Sequence, residues 1–146
     1  MKVLLFIVTL GIVFTACKKD KYTTSPQIKY KALTTNVYDN STTAVSPGII
    51  FTITDAEGDL GDTATIHIKN LLTGDSIEHP FPNLGVSGKA DFKAEVTASI
   101  GRLGGCQSAN PIDSIDVMFY EVFVVDFAKN KSNTIVTADP IYQLCR

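Results

Sequence analysis

Apolar and polar positions follow two different rhythms along this chain. Residues 3–14 form an almost unbroken apolar run, interrupted by Thr9 and Gly11, preceded by Lys2 and closed by Thr15, Ala16 and Cys17. Further on the rhythm becomes two. Ile66 and Ile68 alternate with Thr65, His67 and Lys69, and Phe92, Ala94, Val96 and Ala98 alternate with Asp91, Lys93, Glu95 and Thr97. Successive side chains of a strand point to opposite faces, so this alternation predicts half-buried strands. Residues 49–53 and 117–125 are near-continuous β-branched and aromatic runs, which predict strands covered on both faces or held at a tight interface. Helical periodicity is missing after residue 17.

Turn-forming residues fall between these runs: Ser46-Pro47-Gly48, Glu57-Gly58-Asp59 with Gly61, Thr73-Gly74-Asp75, Pro80-Phe81-Pro82-Asn83, the glycine-rich stretch 101–105, and Lys129-Asn130-Lys131. The strands so delimited span 29–37, 49–54, 65–71, 76–79, 90–98, 114–125 and 132–137. About seven short strands and no helix predict an all-β domain, an antiparallel β-sandwich of immunoglobulin type, and exclude an α/β fold.

The leading run has the order of a signal peptide: a positive charge, an apolar stretch and a small-residue cleavage site. As a helix its twelve to fourteen residues would rise only about 18 to 21 Å, short of the ~30 Å hydrocarbon core of a bilayer. Cys17 directly after Ala16 resembles the lipobox of bacterial lipoproteins, although Phe14 stands where that pattern usually has Leu. The resemblance implies that Cys17 is acylated and becomes the mature N-terminus. The chain then divides into a signal peptide at 1–16, a lipidated Cys and tether at 17–27, and a sandwich domain at 28–146. It also implies a lipid bilayer as partner and a place in the cell envelope at the outer membrane, with the periplasmic and surface faces both open. Three lysines among residues 18–21 can lie against anionic head groups or simply be solvated.

With Cys17 acylated, Cys106 and Cys145 remain as an even pair in an exported chain, which predicts a disulfide. Charge narrows the partners. Thirteen basic residues against fifteen acidic ones, with no basic block, give no footprint for nucleic acid. The absence of Trp leaves few stacking platforms for sugars.

Two segments carry further resemblances. Residues 120–133, from Tyr120-Glu121-Val122 through Asp126-Phe127-Ala128-Lys129-Asn130 to Asn133, look like the final hairpin of fibronectin type III-like and bacterial immunoglobulin-like domains. That likeness implies a structural hydroxyl at Tyr120, bonded to backbone near the preceding corner, and Lys129 stands where those families have glycine. Residues 51–62 are similar to the FxxxDxxGDxG segment of small Bacteroidetes-type lipoproteins with such sandwiches.

The same segment is the chemical candidate. Asp55, Glu57, Asp59 and Asp62 place four carboxylates in eight residues around two glycines, a supply of hard oxygen ligands suited to calcium. Cadherin-like sandwiches hold calcium between loops at one end, and by that analogy Asp126, with Asn130, could join the set. The alternative is an ordinary Asp/Gly turn with solvated charges. Apart from calcium no cofactor is expected. Paired acids also drive glycoside hydrolysis, but a small sandwich without Trp offers no sugar platform. His67 and His79 lack a nucleophile motif beside them. The expectation is therefore a non-catalytic, membrane-anchored binding module whose partner is a protein or a glycan, or alternatively a spacer domain, with or without calcium to stabilise it.

Overall fold

In the computed structural model the described residues are 22–39, 45–61, 63–85, 88–107 and 114–145. Among them the chain forms ten strands: β1 (Gln27–Leu33), β2 (Val37–Asp39), β3 (Gly48–Asp55), β4 (Thr65–Asn70), β5 (Ser76–Pro80), β6 (Phe92–Ser99), β7 (Ser114–Met118), β8 (Tyr120–Val125), β9 (Ile135–Val136) and β10 (Ile141–Cys145). The fold is all-β, as the period-two pattern requires.

One layer is the antiparallel sheet β1-β3-β6, with β3 in the centre and paired to β6 over its whole length, from Gly48 opposite Ser99 to Asp55 opposite Phe92. The remaining strands form the sheets β5-β4-β8-β9 and β2-β10-β7, antiparallel except for the parallel pair β2 and β10. Phe119 alone separates β7 from β8. At this bend the Thr137 N–H donates to the Tyr120 carbonyl at 2.9 Å and the Tyr120 N–H donates to Thr137 Oγ1 at 3.1 Å. The sheets β5-β4-β8-β9 and β2-β10-β7 are thus the two halves of one bent layer.

A single hydrophobic cluster joins the layers. Ile49, Phe51 and Ile53 of β3 are fully buried, as are Val122 and Val124 of β8, and Ile66, Ile68, Val96 and Tyr120 pack with them. Burial alternates along both β3 and β8, so the expectation of two fully covered faces is corrected: the outward positions Ile50, Glu121 and Phe123 are half-buried. Phe123 is shielded by side chains. The His67 ring stacks on it at 4.5 Å between centroids, and Lys131 Nζ lies 3.7 Å from its centroid, a cation–π contact.

Some boundaries differ from the sequence reading. The expected strand 29–37 ends at Leu33 and resumes as β2 in the other layer. The expected strand 114–125 breaks at Phe119 because its two halves pair with different partners, β10 and β4. The expected 132–137 strand shrinks to β9, with Lys131 bridged to Val125. Strand β10 was not anticipated, since its inward position is filled by Gln143, a polar residue that breaks the pattern. Gln143 is buried because its Nε2 donates to the Gly104 carbonyl at 2.7 Å. Next to it the expected disulfide is present: Cys106 and Cys145 are bonded, with Cα atoms 5.9 Å apart.

Candidate functional site

Asp55 is the last residue of β3, and Asp126 directly follows β8. The two strands belong to opposite layers and end at the same pole of the sandwich. There the loop after β3 is tightly fixed. The Gly58 N–H donates to Asp55 Oδ2 at 2.6 Å, closing a turn that needs φ = +65° at Gly58. A side chain at Gly58 would also meet the Lys89 carbonyl, since an added Cβ would lie 2.2 Å from that oxygen. The loop is further held by the Asp91 N–H donating to the Ala56 carbonyl and the Ala56 N–H donating to the Thr23 carbonyl, each at 3.0 Å.

The turn after β8 is built around Asp126. Its Oδ1 accepts the Asn130 N–H at 2.7 Å and its Oδ2 accepts Asn130 Nδ2 at 3.0 Å. Lys129 takes φ = +71°, a left-handed conformation that glycine adopts most readily. Asp59 joins the two loops: its carbonyl accepts the Phe127 N–H at 3.1 Å and its Oδ2 accepts the Ala128 N–H at 3.3 Å.

The result is a cluster of three carboxylates, Asp55, Asp59 and Asp126, each offering one oxygen, with all three oxygens within 4.8 Å of one another. Asp55 and Asp126 are fully buried, and Asp59 is half-buried. Asp55 Oδ1 and Asp59 Oδ1 are enclosed without a hydrogen-bond partner. Burial pushes the Asp55 carboxyl up to about 6; the Gly58 N–H opposes this, and the neighbouring Asp59 charge adds to it.

No family model, curated protein or solved structure matches the chain.

Of the carboxylates singled out in the sequence, the fold therefore unites three. Glu57 is not brought in, because the tight turn from Asp55 to Gly58 leaves it exposed. Asn130 holds Asp126. Asp62 and Cys17 lie outside the described residues. The Tyr120 hydroxyl also differs from expectation. It meets Asn70 Nδ2 at 3.4 Å and Met118 Sδ at 3.5 Å, side chains and not the backbone of the preceding corner.

One surface feature escaped the sequence reading. On the outer face of β2-β10-β7, Tyr142 lies opposite both Val37 and Val117, and Leu144 lies opposite Ile115. Val37 is 47% exposed, Tyr142 37%, Val117 46% and Ile115 56%. These form a contiguous apolar strip across three strands. The alternation of Ile115 and Val117 with Asp116 and Met118 carries the signal in the sequence, but it does not tell which set faces inward. Asp116 is the buried one, with its Oδ2 accepting the Gln107 N–H at 2.6 Å.

Proposed function

We infer that this protein is a lipid-anchored, non-catalytic immunoglobulin-like module of the cell envelope that binds another protein. The apolar strip Val37-Tyr142-Val117-Ile115 carries this reading, since contiguous exposed apolar surface on a small domain marks interaction sites more often than chance exposure does. Its β-branched side chains suit the side chains of a protein partner, and a single tyrosine is a poor platform for a glycan.

Other features support the remaining elements. Counting β7 with β8 and β9 with β10 as single bent strands and setting the short β2 aside, the first, second and fifth segments make one layer and the third, fourth, sixth and seventh the other. This approximates the immunoglobulin constant-type layout, with the fourth segment moved to the second layer. The Cys106–Cys145 bond fits an exported chain and, with the Ala16-Cys17 pattern, favours the envelope. A non-catalytic role fits the burial of Asp55 and Asp126, which leaves a substrate no approach to their carboxylates.

A photo-crosslinking side chain at position 117 of the full-length protein in intact cells tests the reading. One discrete protein adduct, lost when Tyr142→Lys is added, is expected. Adducts identical to those from a probe at Glu95 of β6 would overturn it. The anchor is tested by palmitate labelling, which Cys17→Ser is expected to abolish.

A further inference from the structure

The carboxylate pole has an electrostatic need that the chain itself leaves unmet. Asp55 is fully buried and its Oδ1 has no partner, and the enclosed Asp59 Oδ1 has none either. Three acidic groups converge there, and among the described residues no Lys or Arg forms an ion pair with any of them: the ion pairs are Lys31 with Glu95 and His67 with Glu78. Buried anionic oxygens without donors or counter-charge are strongly unfavourable, and a small cation supplies both a ligand for the free lone pairs and the missing charge.

We propose that Asp55, Asp59 and Asp126 form a calcium site that ties the end of β3 to the turn after β8. The donor set decides the class of ion. All three groups are carboxylates, with no His or Cys among them, which suits a hard cation and disfavours zinc or copper. Coordination geometry narrows it further. Calcium takes about 6–8 oxygens in flexible arrangements and so accepts three carboxylates presented by two separate loops, whereas magnesium demands near-ideal octahedral geometry. Asp126 accepts two hydrogen bonds from Asn130 and still has lone pairs free, because each carboxylate oxygen carries two. Half-buried Asp59 marks the side from which the ion enters, and water supplies the rest of a shell of about 6–8 oxygens.

This site stands independently of the binding strip and of the lipid anchor. Because its ligands come from both layers, occupancy must raise the stability of the whole sandwich and not of one loop.

The test uses the full chain, purified in detergent with the N-terminus the cell leaves on it and stripped of metal by chelation. Equilibrium dialysis with radioactive calcium is expected to find one ion per chain. Calcium chloride at ten times the dissociation constant is expected to raise the melting midpoint by about 5 °C, and magnesium chloride at the same concentration by less. Asp59→Asn keeps the carbonyl that holds Phe127 and removes one charge. It is expected to abolish the calcium shift while leaving the calcium-free midpoint equal or higher. Should that variant fail to fold, Asp55→Asn is read in its place, with the same expectation. Absence of bound calcium in the wild type, or a calcium shift that survives both substitutions, overturns the proposal.

Discussion

Asp55 and Asp126 are both fully buried and face each other from strands of opposite layers, with carboxylate oxygens no more than 4.8 Å apart. They are held differently. Asp126 is bonded twice to Asn130, whereas Asp55 is held at Oδ2 by the Gly58 N–H of its own turn while its Oδ1 is enclosed without a partner. Substitutions at the two positions should therefore act in opposite directions when no cation is present. Asp126→Ala removes both bonds that shape the β8–β9 turn and is expected to lower stability by about 2–4 kcal/mol in urea unfolding. A loss below about 0.5 kcal/mol would show that the turn does not depend on its carboxylate.

Asp55→Asn should instead stabilise the chelated protein at neutral pH. The wild-type carboxyl is raised to about 6 from an ordinary value of 3.8, so the native state binds its proton more tightly than the unfolded chain. Its favourable contribution is complete below about pH 4 and is lost as pH rises through about 6, a swing of up to about 3 kcal/mol. Asn does not titrate. The gap between variant and wild type should widen from pH 4 to pH 7 in the variant's favour, and a gap independent of pH would contradict the burial of Asp55. Asp59 and Asp126 face the same group and are unchanged in the comparison.

Gly58→Ala tests the turn that presents Asp55. A methyl group there meets the Lys89 carbonyl, and the positive φ adds strain. The expected loss is about 2–4 kcal/mol, because backbone opposes the new atom and cannot swing aside. Gly74→Ala is the control. Its φ is also positive, but nothing lies within 4 Å, so thermal unfolding should show a loss of only about 1 kcal/mol from conformation alone.

Breaking the disulfide should destabilise the β2-β10-β7 sheet most. The bond closes a separation of 39 residues, equivalent to about 4 kcal/mol in the chain-entropy description. Cys106→Ser with Cys145→Ser is expected to lower the unfolding free energy by about 2–4 kcal/mol. Amide exchange should speed up in β10 and β7 before β3, and uniform acceleration across all strands would contradict this local role.

Strands β4 and β6 were legible because they alternate cleanly, and both lie within two residues of the expected bounds. Legibility ended where tertiary partners override the pattern. The run 114–125 contains no Gly or Pro to mark a break, and nothing local reveals that residues before Phe119 pair with β10 while those after it pair with β4. Strand β10 hides behind Gln143, whose burial depends on a carbonyl far away in sequence, that of Gly104. The acidic turn was visible as composition. Which of its carboxylates converge was not, because Glu57 and Asp59 differ only in how the Gly58 turn directs the chain.

The hydrogen bond from Ala56 to the Thr23 carbonyl fixes where the polypeptide enters the sandwich: beside Asp55. Tyr22 lies five steps along the chain from Cys17, an extended reach of at most about 18 Å. An acyl chain on Cys17 would then suspend the domain with its carboxylate pole toward the head groups. Exposed Phe127 shares that pole and would then lie within the counterion cloud of an anionic leaflet. Orientation at the membrane would follow from one backbone contact, leaving the apolar strip on the flank of the domain, free to meet a neighbour.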